Sequence, residues 1–263
     1  DLDNDDFDDI RKNAQYQDYF GTIKLGLPYG DDISFSLLND TALRRGGVPG
    51  PTPAQSEKTA RRLLRNTTGL GADFRGVGAQ WLRVQPRVYY SEIRERFRDP
   101  LQEFSANQPN SRSRLQQYGL HIEPTIFLED YFQTLRFFGA IERESFRQDQ
   151  RNRFDDLIER EPTKFRSRYT ARIEDEIAFL EERIVITPSA EYQRYVDRFN
   201  EEDNTFENLG ESSSRVLEYG NYRIGGLVEP LRSKHVDGFL KGGAGSGRRA
   251  PLFIELFGER GSI

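Results

Sequence analysis

The sequence contains no cysteine and no methionine. The missing cysteine excludes disulfides, thiolate metal sites, a cysteine nucleophile and thioether attachment of a tetrapyrrole, and it is compatible with either redox compartment. Histidine is scarce as well. His121 and His235 are the only two, and neither stands four residues from a second ligand, which argues against a metal centre. No apolar run approaches the roughly 20 residues a membrane helix requires, so the expectation is a soluble or peripheral protein. The chain opens at Asp1 without an initiator methionine, as a processed mature form or a trimmed chain would.

Catalytic signatures are missing too. The glycines from Gly69 to Gly78 lack the Gly-Lys-Ser/Thr ending of a phosphate loop. No Gly-x-Ser-x-Gly elbow or Ser-x-x-Lys pattern stands out. The acid pairs Asp155-Asp156 and Glu181-Glu182 read as solvated charged faces. The expectation is a non-enzyme.

What the chain does have is charge and aromatic side chains. It carries 38 basic and 43 acidic residues, and six of the acids (Asp1, Asp3, Asp5, Asp6, Asp8 and Asp9) crowd the start, so the remainder is close to balanced. A near-neutral body argues against nucleic-acid binding, which needs a net basic face. Hydrophobic residues make up 35% of the chain and mean hydropathy is −0.77, poor in aliphatic core material. Much of the apolar content is Phe and Tyr beside Arg, a combination suited to protein partners.

In chain order, Asp1 to Asp9 reads as an acidic arm, and its Asp-x-Asp-x-Asp start lacks the Gly and Glu of a calcium loop. Phe20 to Leu38, split at Pro28-Tyr29-Gly30-Asp31, reads as a hairpin or an extended arm. A Pro/Gly loop from Gly46 to Pro53 precedes a short helix from Ser56 to Arg65. From Tyr89 to about Asn208 apolar residues recur at steps of three and four, as in Leu128, Tyr131, Phe132, Leu135 and Phe138, with breaks near Pro100, Pro109, Pro124, Pro162 and Pro188. That spacing predicts helices. Gly242 to Gly247 reads as a linker, and Leu252 to Phe257 as a terminal strand.

Arg96-Phe97, Phe104, Ser113-Arg114, Tyr118-Gly119 and Glu123-Pro124 recur as Arg198-Phe199, Phe206, Ser214-Arg215, Tyr219-Gly220 and Glu229-Pro230. Such recurrence is the signature of a duplicated unit. The expected fold is mainly α: two repeated helical units with long extended N- and C-terminal arms and minor β. The expected divisions are an arm at 1–88, helical repeats at 89–190 and 191–240, and a linker with a strand at 241–263. Phe97, Arg114, Tyr118, Phe199, Arg215 and Tyr219 form the expected repeated contact set, with Phe137, Phe138 and Trp81 as further aromatic anchors.

In the Arg-aromatic pairs Arg96-Phe97 and Arg198-Phe199, in Arg114 with Tyr118 and Arg215 with Tyr219, and in the run Tyr131 to Phe138, the chain resembles phycobilisome linker proteins, the gamma type in particular. The resemblance covers roughly Tyr89 to Leu240. It implies a structural linker inside phycobiliprotein hexamers of a light-harvesting antenna at a plastid or cyanobacterial thylakoid surface, with other linkers as further partners. With no cysteine the linker would be colourless, holding no bilin covalently and touching bilins of partner subunits non-covalently. Linkers are commonly basic, whereas this chain has a pI near 5.4. The alternatives are a self-assembling, arm-exchanging subunit, and a small-ligand-binding protein or enzyme.

Overall fold

The computed structural model describes residues 13–49, 56–103, 110–198, 214–232, 237–248 and 250–251. The described residues form no α-helix; one 3-10 turn, Glu129–Tyr131, is the sole helical element among them. The described residues build an antiparallel sheet of eleven strands: β1 (Tyr16–Tyr29), β2 (Ile33–Gly47), β3 (Ala60–Arg75), β4 (Leu82–Arg98), β5 (Asn110–Leu128), β6 (Gln133–Arg151), β7 (Leu157–Arg160), β8 (Lys164–Phe179), β9 (Ile184–Arg198), β10 (Ser214–Arg232) and β11 (Asp237–Ser246). Each pairs with the next in a meander, except that short β7 pairs off the path with β6, which goes on to β8.

The mainly α expectation is therefore corrected to a β-barrel-like sheet. Leu128, Tyr131, Phe132, Leu135 and Phe138, which predict one helix, instead end β5, form a tight turn and begin β6. Residues spaced for one side of a helix thus fall on a turn and both faces of a strand. Pro124 and Pro188 lie within β5 and β9. Ser56 to Arg65 enters β3, and the Gly242 to Gly247 stretch continues β11 to Ser246, paired with β10. The hairpin at the N-terminal end is present as β1 and β2 around residues 30–32, where Gly30 takes the positive φ of +68° that a tight turn needs. Asp1 to Asp9 and Leu252 to Phe257 lie outside the described residues.

The strands are long and strictly alternating. In β4, Leu82, Val84, Val88 and Tyr90 share one face while Arg83, Gln85, Arg87 and Tyr89 share the other. Cross-strand register carries that division through the sheet, giving one apolar and one polar face. The apolar face is open: Ile23, Leu27, Leu120 and Ile141 are about half exposed or more, and the described buried hydrophobic residues are only Ala140, Phe146, Tyr195 and Ala250. The accessible surface is 18724 Å², against about 12,000 Å² for a soluble globule of this mass.

Two further regularities organise the sheet. Connections alternate in length, short at 30–32, 76–81, 129–132, 180–183 and 233–236, and long at 48–59, 99–109, 152–163 and 199–213. All short ones therefore fall on one edge. On the apolar face, Tyr19, Tyr90, Tyr118, Tyr169, Tyr192 and Tyr222 form a belt toward the long connections, beyond which arginines become frequent and Leu43, Leu64, Phe165, Val196 and Val216 are still apolar. Tyr29, Trp81, Tyr131, Phe132 and Phe179 gather toward the short-turn edge.

The tyrosine belt runs obliquely to the register. Leu25, Leu37, Leu70, Val88, Leu120, Ile141, Tyr169, Arg194 and Glu218 are successive cross-strand partners. That row starts six residues below Tyr19 and ends four above Tyr222, so the belt slips by ten residues over eight pairings. At roughly 3.3 Å per residue and 4.8 Å between strands, the strands tilt by about 40°, the inclination at which barrels close. From Tyr19 to Tyr29 the apolar stretch is then about 25 Å tall, the height of the lipid-facing band of a membrane barrel.

Candidate functional site

The polar face carries a cluster that spans four strands. Glu142 of β6 is almost fully buried at 3% exposure and gathers three side chains. Tyr89 Oη of β4 donates to Glu142 Oε1 at 2.5 Å, His121 Nε2 of β5 lies 2.9 Å from the same oxygen, and Arg168 of β8 pairs with Oε2. Tyr89 reaches Glu142 by crossing β5 at Gly119. A Cβ at that position would lie 2.5 Å from the tyrosine ring and 3.0 Å from Glu142 Cγ. The His121 ring packs between Tyr89 and Phe138, at centroid distances of 5.1 and 5.4 Å, and Arg172 lies over Phe138.

Nearer the long connections, Asp197 is fully buried and takes a two-pronged contact from Arg166, at 2.6 and 2.9 Å. Arg166 also donates to the Pro251 carbonyl, and Arg215 approaches Asp197 at 3.6 Å. Toward the short turns, Arg83 grips both oxygens of Asp73, and Arg136 bridges Glu174 and Glu176. Charges paired in this way hold neighbouring strands in register and leave a polar surface beside them. Among the described residues no group of three or more His, Cys, Asp or Glu is placed to hold a metal ion.

The apolar face is not uniformly apolar. Asn39, Thr41, Asn66 and Thr68 satisfy one another by side-chain hydrogen bonds. Asp175 takes a hydrogen bond from Gln133 at 2.7 Å. Above the tyrosine belt the same face becomes rich in arginine.

The residues expected to form one contact set separate onto two faces. Arg114, Tyr118 and Phe137 lie on the apolar face; Phe97, Phe138, Arg215 and Tyr219 lie on the polar face. Trp81 ends the 76–81 turn, half exposed, and its carbonyl accepts from the Phe127 amide. Phe199 lies outside the described residues. The two similar segments each join a strand end to the next strand, yet Arg114 and Tyr118 face opposite to Arg215 and Tyr219. Phe138, Arg215 and Tyr219 touch the polar clusters, Tyr219 through the Tyr195 ring at 6.0 Å, over which Arg166 lies. Sequence reasoning missed Glu142, Tyr89, Arg168, Arg166 and Asp197. The signal that points to them is the period-two alternation, which puts a charged residue opposite each lipid-like one.

No family model matches the chain and no curated protein matches it. Solved structures do. The copper transporter OprC superposes with a TM-score of 0.73 at 17% identity, over 95% of this chain and 40% of its own. The FrpB iron transporter from Neisseria meningitidis (F5-1 variant) gives 0.62 at 13%, over 82% of this chain and 35% of its own. BauA, the ferric preacinetobactin receptor from Acinetobacter baumannii, gives 0.58 at 10%, over 82% and 38%. The chain thus spans less than half the length of each. At these identities the likeness shows the fold.

That fold overturns the phycobilisome linker reading. The similar structures are transporters and receptors, and the thylakoid location, the phycobiliprotein hexamers and the light-harvesting role fall with the linker. The Arg-aromatic adjacency that carried the resemblance has a simpler cause: consecutive strand residues point to opposite faces, so an arginine on one face is followed by an aromatic on the other. The absence of a long apolar run does not bear on a β-barrel, whose strands need apolar residues only at every second position.

Proposed function

We propose that this chain forms part of the wall of a transport β-barrel in a bacterial outer membrane. The observation that carries it is the apolar face: a band about 25 Å tall, edged by aromatic residues and inclined about 40° to the strands. The band faces lipid and the polar face lines the lumen. The short turns lie on the periplasmic side and the long connections outside, the arrangement of outer-membrane barrels. That the similar structures are metal transporters and a ferric-complex receptor supports uptake of a metal as a complex. The lumen wall suits such cargo better than a bare ion, since it offers arginine, tyrosine and carboxylate groups and no thiol or thioether to a soft metal. In this reading the wall binds and guides, and it performs no catalysis.

The absence of native cysteine makes the test direct. Single cysteines replace Leu120 and Ile122 on the apolar face, and Gln117 and Glu123 on the polar face of the same strand. Each is labelled with bimane in the chain reconstituted into vesicles containing spin-labelled lipid. Labels at 120 and 122 are expected to be quenched by lipid, and those at 117 and 123 by aqueous iodide. Equal aqueous quenching at all four would defeat the membrane-wall reading.

A further inference from the structure

Above the tyrosine belt, the lipid-side face of β4, β5 and β6 carries arginines in direct register. Arg94 pairs with Arg114, and Arg114 with Arg147; one step further out, Arg96 pairs with Arg112, and at belt level Arg143 stands opposite Tyr118. Like charges placed directly opposite destabilise a sheet, and few carboxylates offset these. Glu92 serves both Arg94 and Arg114, while a single oxygen of Asp155 serves both Arg96 and Arg112. Among the described residues Arg147 has only Asp149, at 3.9 Å, and Arg143 rests on the Phe165 ring without a carboxylate of its own. The Nε groups of Arg96 and Arg112 are shielded from water without a hydrogen-bond acceptor.

The height of this patch selects its occupant. Arg94 and Arg114 lie four residues beyond Tyr90 and Tyr118, about 10 Å along the membrane normal at the strand tilt derived above. That is the polar headgroup layer flanking the hydrocarbon core. Planar guanidinium forks with unused N–H groups match phosphate oxygens. We propose that this outward arginine patch is a docking surface for the phosphate groups of outer-leaflet lipid, which seat the barrel against specific headgroups. The inference rests on the membrane-wall reading.

The test measures lipid binding to the full chain in neutral detergent by native mass spectrometry and by titration. Phosphatidic acid, phosphatidylcholine and inorganic phosphate are the probes. Phosphatidic acid is expected to bind, with weaker binding at higher salt, and the triple variant R112Q/R114Q/R147Q is expected to lose about a hundredfold in affinity. R112K/R114K/R147K, which keeps the charge and removes the fork, should fall between the two. Unchanged affinity in the Gln variant would overturn the proposal. So would equal affinity for phosphatidylcholine, and inorganic phosphate binding as tightly as the lipid would replace the lipid with a free anion. The quenching pattern at positions 120 and 117, recorded on the same variants, separates the two readings. If the pattern is intact and lipid binding is absent, only the docking surface fails; if the pattern is lost in the unsubstituted chain, the wall itself fails. Should the triple variant lose the pattern, R147Q alone decides, since Arg147 has the weakest ion pair of the row; wild-type affinity there would count against the patch.

Discussion

Gly119 decides whether the polar cluster can close. Tyr89 and Glu142 stand on strands that are not neighbours, and their 2.5 Å hydrogen bond passes over β5 at the one position without a side chain. Any Cβ there meets the tyrosine ring at 2.5 Å, well inside contact distance, so Gly119→Ala forces the ring away and leaves the nearly buried Glu142 one donor short. The expected cost is about 1–3 kcal/mol, the penalty for stranding a buried polar group. Equilibrium unfolding in urea from lipid vesicles measures it. Tyr89→Phe in the Gly119→Ala background should then add little, because the hydrogen bond is already gone; a fully additive loss would show that the glycine acts elsewhere. Gly220 follows a tyrosine in the same way, yet a Cβ there meets nothing within 4 Å, so Gly220→Ala is expected to be nearly neutral.

At the scale of elements, the long connections are tied to one another. Glu103 accepts from the Thr59 hydroxyl at 2.6 Å and from the backbone amides of Glu57, Lys58 and Thr59. Thr59 also hydrogen-bonds Asp99, and Asn13 joins Ser56 and the Thr59 carbonyl. The Thr59 hydroxyl foremost, with those amides, holds the Glu103 carboxyl below its ordinary value. A lowered folded value contributes stability that is complete above the ordinary glutamate range and is lost as pH falls through the folded value. Protection of the amides of 57 and 59, relative to their intrinsic exchange rate, is therefore expected to fall as pH drops below that range, and Glu103→Gln should show the low protection already at neutral pH. No pH dependence in the native chain would remove Glu103 from the clamp.

The hairpin of β1 and β2 was legible because its turn has an unambiguous signal at Gly30-Asp31 and its flanks alternate. The remaining strands were equally periodic, as Leu82, Val84, Val88 and Tyr90 show, but their second face is filled with arginine and glutamate, which reads as a charged helix surface. Leu128 to Phe138 added a chance spacing of three and four across a turn. Of the expected site, Phe138, Arg215 and Tyr219 do reach the polar clusters. Glu142 and Asp197 could not be told from other carboxylates until the register brought their partners together from distant parts of the chain.

At the scale of the whole molecule, the sheet built by the described residues has two open edges. Among the described residues β1 pairs only with β2, and β11 only with β10. A tilt of about 40° closes a sheet into a barrel, and closure requires each edge to pair, with the other edge or with further strands. OprC, of which this chain matches 40%, has length to spare for them. The open apolar face and the open edges are both costly in water, the first by exposing hydrophobic area and the second by leaving amides and carbonyls for another strand to capture. In an antiparallel pair only alternate residues direct their amides to the partner. Residue-resolved hydrogen exchange of the chain in detergent is therefore expected to alternate fast and slow along 17–27 of β1, while β5, paired on both sides, is protected throughout. Within a closed barrel the fast half of β1 becomes slow. Uniform protection of β1 in the isolated chain would mean that a second copy already covers the edge, and cross-linking through Gln17→Cys would then capture that neighbour.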